Sequence, residues 1–192
     1  MSLPLSAASL DIGEAAQRLK RGAVVAYPTE AVWGLGCDPY NQQAVERLLA
    51  LKSRSVEKGL ILIAGSIEQF AFLLDDLPSN LLERLTSSWP GPSTWLVPHS
   101  QRIPAWIYGD HQTVAIRVTD HPQSAALSQA FGGPLVSTSA NPQGQPAAKT
   151  AEQVTAYFGQ QIDGLVSGPL GDAKQPSTIR NLLSGELIRG AD

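Results

Sequence analysis

Four stretches of this sequence gather groups that could bind or stabilise charge. In "LKSRSVEKGLILI", residues 51–63, Lys52 and Arg54 stand two positions apart where an apolar-periodic segment stops, with Lys58 just beyond. Inside a helix, positions i and i+2 diverge; in an extended exit segment they point the same way. Two cations could then meet one phosphate chain, the arginine as a fork and the lysine as a point charge. The plainer reading is that basic residues favour helix C-termini because of the macrodipole. In "TVAIRVTDHP", residues 113–122, Arg117 lies in an apolar strand on the same face as Thr113 and Ala115. A guanidinium there needs an anion, from a ligand or from a protein carboxylate. In "PLVSTSANPQGQP", residues 134–146, Ser137, Ser139 and Asn141 alternate. An extended backbone would aim all three to one side, unless the loop simply satisfies itself. In "YPTEAVWGLGCDP", residues 27–39, Thr29 and Glu30 follow a strand end and precede Trp33 and two glycines. Glycines there allow close approach of a ligand, or just a turn between elements. Cations and hydroxyls at strand and helix ends together point to a small anionic ligand of the nucleotide kind.

Other chemistries lack their signatures. No G-x-x-x-x-G-K-[ST] occurs, and "GLGCDP" has only two of the three glycines of a dinucleotide fingerprint. "STSAN" is not G-x-S-x-G; a Ser-His-Asp triad assembled in space stays open without an elbow to favour it. With one cysteine, Cys37, a disulfide framework and a Cys-rich zinc site are out. His99, His111 and His121 fit no zinc spacing. Fourteen Lys and Arg against seventeen Asp and Glu give a net charge of −3. Tight general binding to nucleic acid is therefore disfavoured, and an anion must be held by a local basic pocket. No apolar run approaches the ~18 residues of a membrane span, and Asp11 and Glu14 interrupt the start of the chain where a secretory signal would lie. A cytoplasmic, globular protein is expected.

The elements that must position these groups follow from periodicity and caps. Helices are expected over 11–21, 41–52 with Asn41 as cap, 80–88 and 122–131, and after capping boxes at Ser66/Gln69 and Thr150/Gln153. Strands are expected at 23–27, 60–64, 94–98, 113–118, 134–137, 163–167, 177–182 and 186–189. Helices and strands interleave, which gives an α/β fold. The later strands are too close in sequence for helical crossovers, so parallel and antiparallel pairs must share a mixed sheet. A chain of 192 residues without repeat or linker fits one domain, 1–192.

These stretches, in this order, resemble the YrdC-like family of threonylcarbamoyl-AMP synthases over about Val24 to Arg189. "YPTEAVWGLG" is similar to the family's opening signature, "KSR" to its K-x-R and "STSAN" to its S-x-N; "WPGPSTW" and "PSTI" also match family segments. The length resembles the short bacterial form. The resemblance implies a twisted α/β sheet around a large electropositive cavity. It implies a nucleotidyltransferase that joins L-threonine, bicarbonate and ATP into L-threonylcarbamoyl-adenylate and releases pyrophosphate. The product would pass to other proteins that modify adenosine 37 in tRNAs reading codons beginning with A. Lys52, Arg54, Ser139 and Asn141 match the tetrad that holds the ATP phosphates and the adenylate. Thr113 and Arg189 match positions near the nucleotide. Thr29, Arg117, Ser137 and Ser177 match positions that grip threonine. No residue is assigned as acid, base or nucleophile. Mg²⁺ would accompany ATP with no dedicated protein site. Trp33 stands where Tyr or Phe is commoner, and Ser55 where proline often follows K-x-R. Two other readings remain: an RNA-binding module in rRNA or tRNA maturation, and a carbamoyl-adenylate enzyme related to the hydrogenase-maturation branch.

Overall fold

The computed structural model describes residues 7–190. Its strands are β1 (Ser9–Leu10), β2 (Val25–Pro28), β3 (Trp33–Gly36), β4 (Ile61–Ala64), β5 (Ser93–Pro98), β6 (Thr113–Val118), β7 (Leu135–Ser139), β8 (Gly164–Val166), β9 (Thr178–Asn181) and β10 (Leu187–Arg189). The helices are α1 (Ile12–Lys20), α2 (Gln42–Lys52), α3 (Ala71–Leu74), α4 (Ser79–Thr86), α5 (Ala105–Tyr108), α6 (Pro122–Phe131) and α7 (Ala151–Phe158). One sheet orders the strands β1-β8-β2-β3-β7-β4-β6-β5-β9-β10. It is mixed, as expected: β2 with β8, β4 with β6 and β5 with β9 are parallel, whereas β2–β3, β3–β7, β4–β7 and β5–β6 are antiparallel.

Several starts and stops follow local chemistry. Asp11 caps α1 through Glu14 N at 2.8 Å, and Glu14 returns the contact to Asp11 N at 3.3 Å. Asn41 caps α2 through Ala44 N, and α2 ends at Ser53, whose φ of 50° is left-handed. Thr150 caps α7, but Gln153 accepts from Lys149 N at 2.7 Å and so closes the box one residue early. The Ser66/Gln69 segment opens a 3₁₀ turn, Ile67–Phe70, before the short α3.

Two strands were not anticipated. β1 is two residues long. β3 forms a hairpin with β2, where a tight segment was expected. Its glycines serve packing: a Cβ on Gly36 would lie 2.5 Å from Val136 O and 2.7 Å from the Tyr27 ring.

The two faces of the sheet carry different cargo. Val24, Ala26, Leu60, Leu62, Ala64, Val114, Ile116 and Val118 belong to the larger apolar core. Their neighbours Val25, Tyr27, Ile63 and Leu135 face a smaller core with Ala15, Ala16 and Leu19 of α1 and Leu127 of α6. These two helices cover only part of their face. At its uncovered end, the alternation of β4, β6 and β7 delivers Ile61, Arg117 and Ser137 to a cavity.

Candidate ligand cavity

β7 sits at the division of the sheet. Its first half pairs with β4, with Ile61 opposite Ser137; its second half pairs with β3, with Gly34 opposite Ser139. Ser137, Thr138 and Ser139 all line a cavity of about 250 Å³ there. Thr29, Glu30, Trp33 and Gly34 come from the β2–β3 hairpin, Arg117 from β6, Ser177 from the approach to β9 and Arg189 from β10. A neighbouring cavity of about 220 Å³ is lined by Lys58, His111, Thr113 and Ile188 among others. Arg54, Leu60, Ile61 and Arg189 line both. Together the two reach the ~300–1,000 Å³ of an ordinary ligand site.

All four residues matched to threonine contacts, Thr29, Arg117, Ser137 and Ser177, meet in the first cavity. Arg54 and Arg189 stand at the junction, and Thr113 lies in the second. Ser139 lines the first cavity, but Lys52 and Asn141 line neither. Thus the idea that Ser137, Ser139 and Asn141 share one side holds for the serines alone, because β7 ends at Ser139. Asn141 lies past the strand, where its Oδ1 accepts from Ser139 Oγ at 2.6 Å.

Nor do Lys52 and Arg54 make a simple pair of converging cations. Lys52 is 6% exposed. Its Nζ donates to Ser139 O, to Asn141 O at 2.8 Å and to Asn141 Oδ1 at 3.2 Å. It therefore clasps the hydroxyl-rich loop from behind. Burial, then the Arg54 charge, brings its pKa down to about 8. Arg54 turns back on its own loop and donates to Gly59 O at 2.9 Å, while its buried Nε has no hydrogen-bond partner. Ser55 supplies a cap, accepting from Glu57 N at 3.3 Å as the turn Val56–Lys58 begins.

Arg117 has a protein carboxylate as partner. Its Nη1 lies 2.7 Å from Glu30 Oε1, with side chains 10% and 11% exposed. Of the two anions the sequence left open for Arg117, a ligand or a protein carboxylate, the structure shows the protein carboxylate. Thr119 Oγ1 also donates to Glu30 Oε1, at 2.5 Å. Burial pushes the Glu30 carboxyl up, but the Arg117 charge and these hydrogen bonds hold it below its ordinary value. Arg117 Nε is buried without a partner, so the guanidinium keeps an unused donor. Burial and the charges of Arg117 and Arg54 pull the Arg189 pKa down, and its Nη2 donates to Ser177 O at 3.2 Å. Three guanidiniums thus face one carboxylate around the joined cavities. Thr29 Oγ1 donates to Val32 O at 2.6 Å, and Ser177 Oγ shares a hydrogen with Thr94 Oγ1 at 2.8 Å.

Glu30 and Trp33 were not singled out as site residues by the sequence. Glu30 carried a signal: it is the sole acidic residue between Glu14 and Asp38, beside a buried strand. Trp33, 4% exposed, forms cavity wall and core at once. Among the described residues no cluster of three His, Cys, Asp or Glu could hold a metal. No helix among them is long and apolar enough to cross a membrane.

A mixed α/β sheet with an arginine- and hydroxyl-lined cavity beside its central strands defines a class of protein suited to a small, anionic ligand. Residues 17–191 match the Sua5/YciO/YrdC family, whose description reads "Telomere recombination", and the chain belongs to that family. It is 59% identical over 181 residues to a threonylcarbamoyl-AMP synthase of Pseudomonas putida (strain GB-1), covering 94% of this chain and 97% of that protein. It is also 59% identical over 180 residues to one of Stutzerimonas stutzeri (strain A1501), with the same coverage. The structure of P. abyssi Sua5 complexed with L-threonine superposes with a TM-score of 0.83 at 30% identity. That match covers 92% of this chain and 54% of Sua5, so the chain spans about half of that protein.

Proposed function

We propose that this chain is a nucleotidyltransferase that makes L-threonylcarbamoyl-adenylate from L-threonine, bicarbonate and ATP, releasing pyrophosphate. The observation that carries this reading is the meeting of Thr29, Arg117, Ser137 and Ser177 in one cavity, joined through Arg54 and Arg189 to a second that holds Thr113. The first volume suits a small amino acid, and the nucleotide would take the second cavity together with the junction between the two. The names of the bacterial relatives, and the L-threonine complexed with P. abyssi Sua5, support threonine as a substrate.

The chemistry asks for placement rather than a covalent nucleophile. The neutral amine of threonine combines with bicarbonate to give a carbamate and water. A carbamate oxygen then attacks the α-phosphorus of ATP, and the bond to pyrophosphate breaks. Arg117 would receive the threonine carboxylate, with Ser137, Ser177 and Thr29 around the rest of the amino acid. Arg54 and Arg189, at the junction, would neutralise charge that develops between the reacting groups. Ser139 would meet the adenylate directly. Lys52 and Asn141 would act by shaping the loop that carries it. Mg²⁺ would arrive with the triphosphate, its ligands being phosphate oxygens.

In this reading residues 1–192 form one domain working in the cytoplasm, and the product feeds the machinery that modifies adenosine 37 of tRNA. The test is pyrophosphate release with each substrate omitted in turn. Release that needs threonine, bicarbonate and ATP together is expected; release from ATP without threonine would contradict it.

A further inference from the structure

The Glu30–Arg117 pair poses a problem for a cavity meant to receive a carboxylate. A simple carboxylic acid that docks on Arg117 brings its negative charge beside the Glu30 carboxylate, and like charges at such range oppose binding. Glu30 cannot easily swing away. Thr119 Oγ1 holds it at 2.5 Å, and Thr119 Oγ1 itself accepts from His121 N at 3.2 Å. Its backbone is tied too, since Ala173 N donates to Glu30 O at 3.1 Å. The pair is fixed in the wall, and both partners line the cavity.

An α-amino acid removes the difficulty, because it carries its own cation next to its carboxylate. We propose that Glu30 binds the α-ammonium group of the amino-acid substrate, so that the Glu30–Arg117 pair reads a zwitterion with opposite charges facing. This rests on the reading of the cavity as the threonine site. Three observations support it. Among the described residues, Glu30 is the sole carboxylate lining the first cavity. The Arg117 contact uses Nη1, while the buried Nε has no partner, so the guanidinium has donor capacity for a second anion. The carboxyl is held below its ordinary pKa, which keeps it an anionic acceptor at neutral pH rather than a proton carrier. Once the ammonium has given one proton to solvent and the neutral amine has combined with bicarbonate to a carbamate and water, the remaining N–H can still donate to Glu30, so the contact survives the first bond-forming step. Selectivity then has a repulsive component: carboxylates lacking the amine meet Glu30 uncompensated.

The test is calorimetric binding of L-threonine and of 3-hydroxybutanoate, the same acid without the amine, to the full chain and to Glu30→Gln. The wild-type chain should bind threonine at least tenfold more tightly than 3-hydroxybutanoate. In Glu30→Gln, threonine should weaken at least tenfold while 3-hydroxybutanoate holds or tightens, so that the preference collapses. Equal weakening of both ligands would mean that Glu30 only holds Arg117 in place, and would overturn the proposal while leaving the threonine site standing. An unchanged preference would overturn it as well. If Glu30→Gln does not fold, the wild-type comparison decides alone: equal affinity for the two acids sinks the proposal. Wild-type protein that binds neither acid would sink the threonine site and this inference together.

Discussion

Replacing Lys52 by methionine keeps an unbranched apolar stem as far as the ε position and removes the ammonium. That ammonium serves Ser139 O, Asn141 O and Asn141 Oδ1 from a position 6% exposed. Asn141 Oδ1 keeps the Ser139 hydroxyl at 2.6 Å, so the two backbone carbonyls lose most. Leaving a buried acceptor unpaired costs ~1–3 kcal/mol, and the relief of the ammonium's desolvation offsets part of that. We expect a net loss of ~1–3 kcal/mol, or ~3–10 °C in melting temperature for a domain of this size. ATP affinity should fall together with it, by ~10–100-fold, because the loop carrying Ser139 loses its clasp. Thermal unfolding followed by circular dichroism, alongside calorimetric ATP binding, measures both. If Lys52→Met melted with the wild type and lost only ATP affinity, Lys52 would be a ligand cation and not a clasp, and the geometry described here would have been misread.

The remaining predictions concern charge and packing. The Lys52 pKa falls from 10.5 to about 8 on folding, through burial first and Arg54 second. The unfolded chain therefore binds this proton more readily, so the group's contribution to stability is full above pH 10.5 and is lost as pH falls through about 8. Lys52→Met should lack this trend when the two proteins are unfolded in parallel denaturant titrations across that pH range. Arg117→Lys keeps the charge without the fork, so threonine affinity should fall ~10-fold or more with ATP affinity nearly unchanged; equal loss for both ligands in calorimetry would make Arg117 a structural partner of Glu30 only. Cys37 is fully buried and its thiol pKa is pushed far up by burial, then by Asp38. Cys37→Ser should thus retain turnover, and the native thiol should resist disulfide reagents until the protein unfolds; rapid labelling of the folded protein would refute this. Gly36→Ala should destabilise by ~2–3 kcal/mol in denaturant titration, since its Cβ meets Val136 O and Tyr27 at once.

What the sequence disclosed tracks how local the cause was. The helix Gln42–Lys52 followed from the Asn41 cap and its apolar spacing, and β6 from the alternation that set Arg117 apart from Val114, Ile116 and Val118. Counting in twos placed Arg117 with Thr113 and Ala115 on one strand, and Ser137 with Ser139 on another. β3 escaped because "WGLG" has two glycines and no β-branched residue, although Trp33 and Leu35 alternate into the larger core. Partnerships across the fold were out of reach. Glu30 and Arg117 meet because β2–β3 and β6 line one cavity, and nothing near either residue encodes the other. In the same way, Lys52 looked like a free cation at a helix end until packing set Ser139 and Asn141 against it.

The central claim is that one catalytic cycle joins threonine, bicarbonate and ATP on this chain. The most direct measurement is mass spectrometry of the reaction mixture with ¹³C-bicarbonate. Threonylcarbamoyl-adenylate should appear one mass unit heavier than from unlabelled bicarbonate, with one pyrophosphate for each adenylate. Pyrophosphate or AMP formed without a labelled threonylcarbamoyl-adenylate, or an adenylate that carries threonine but no label, would contradict it.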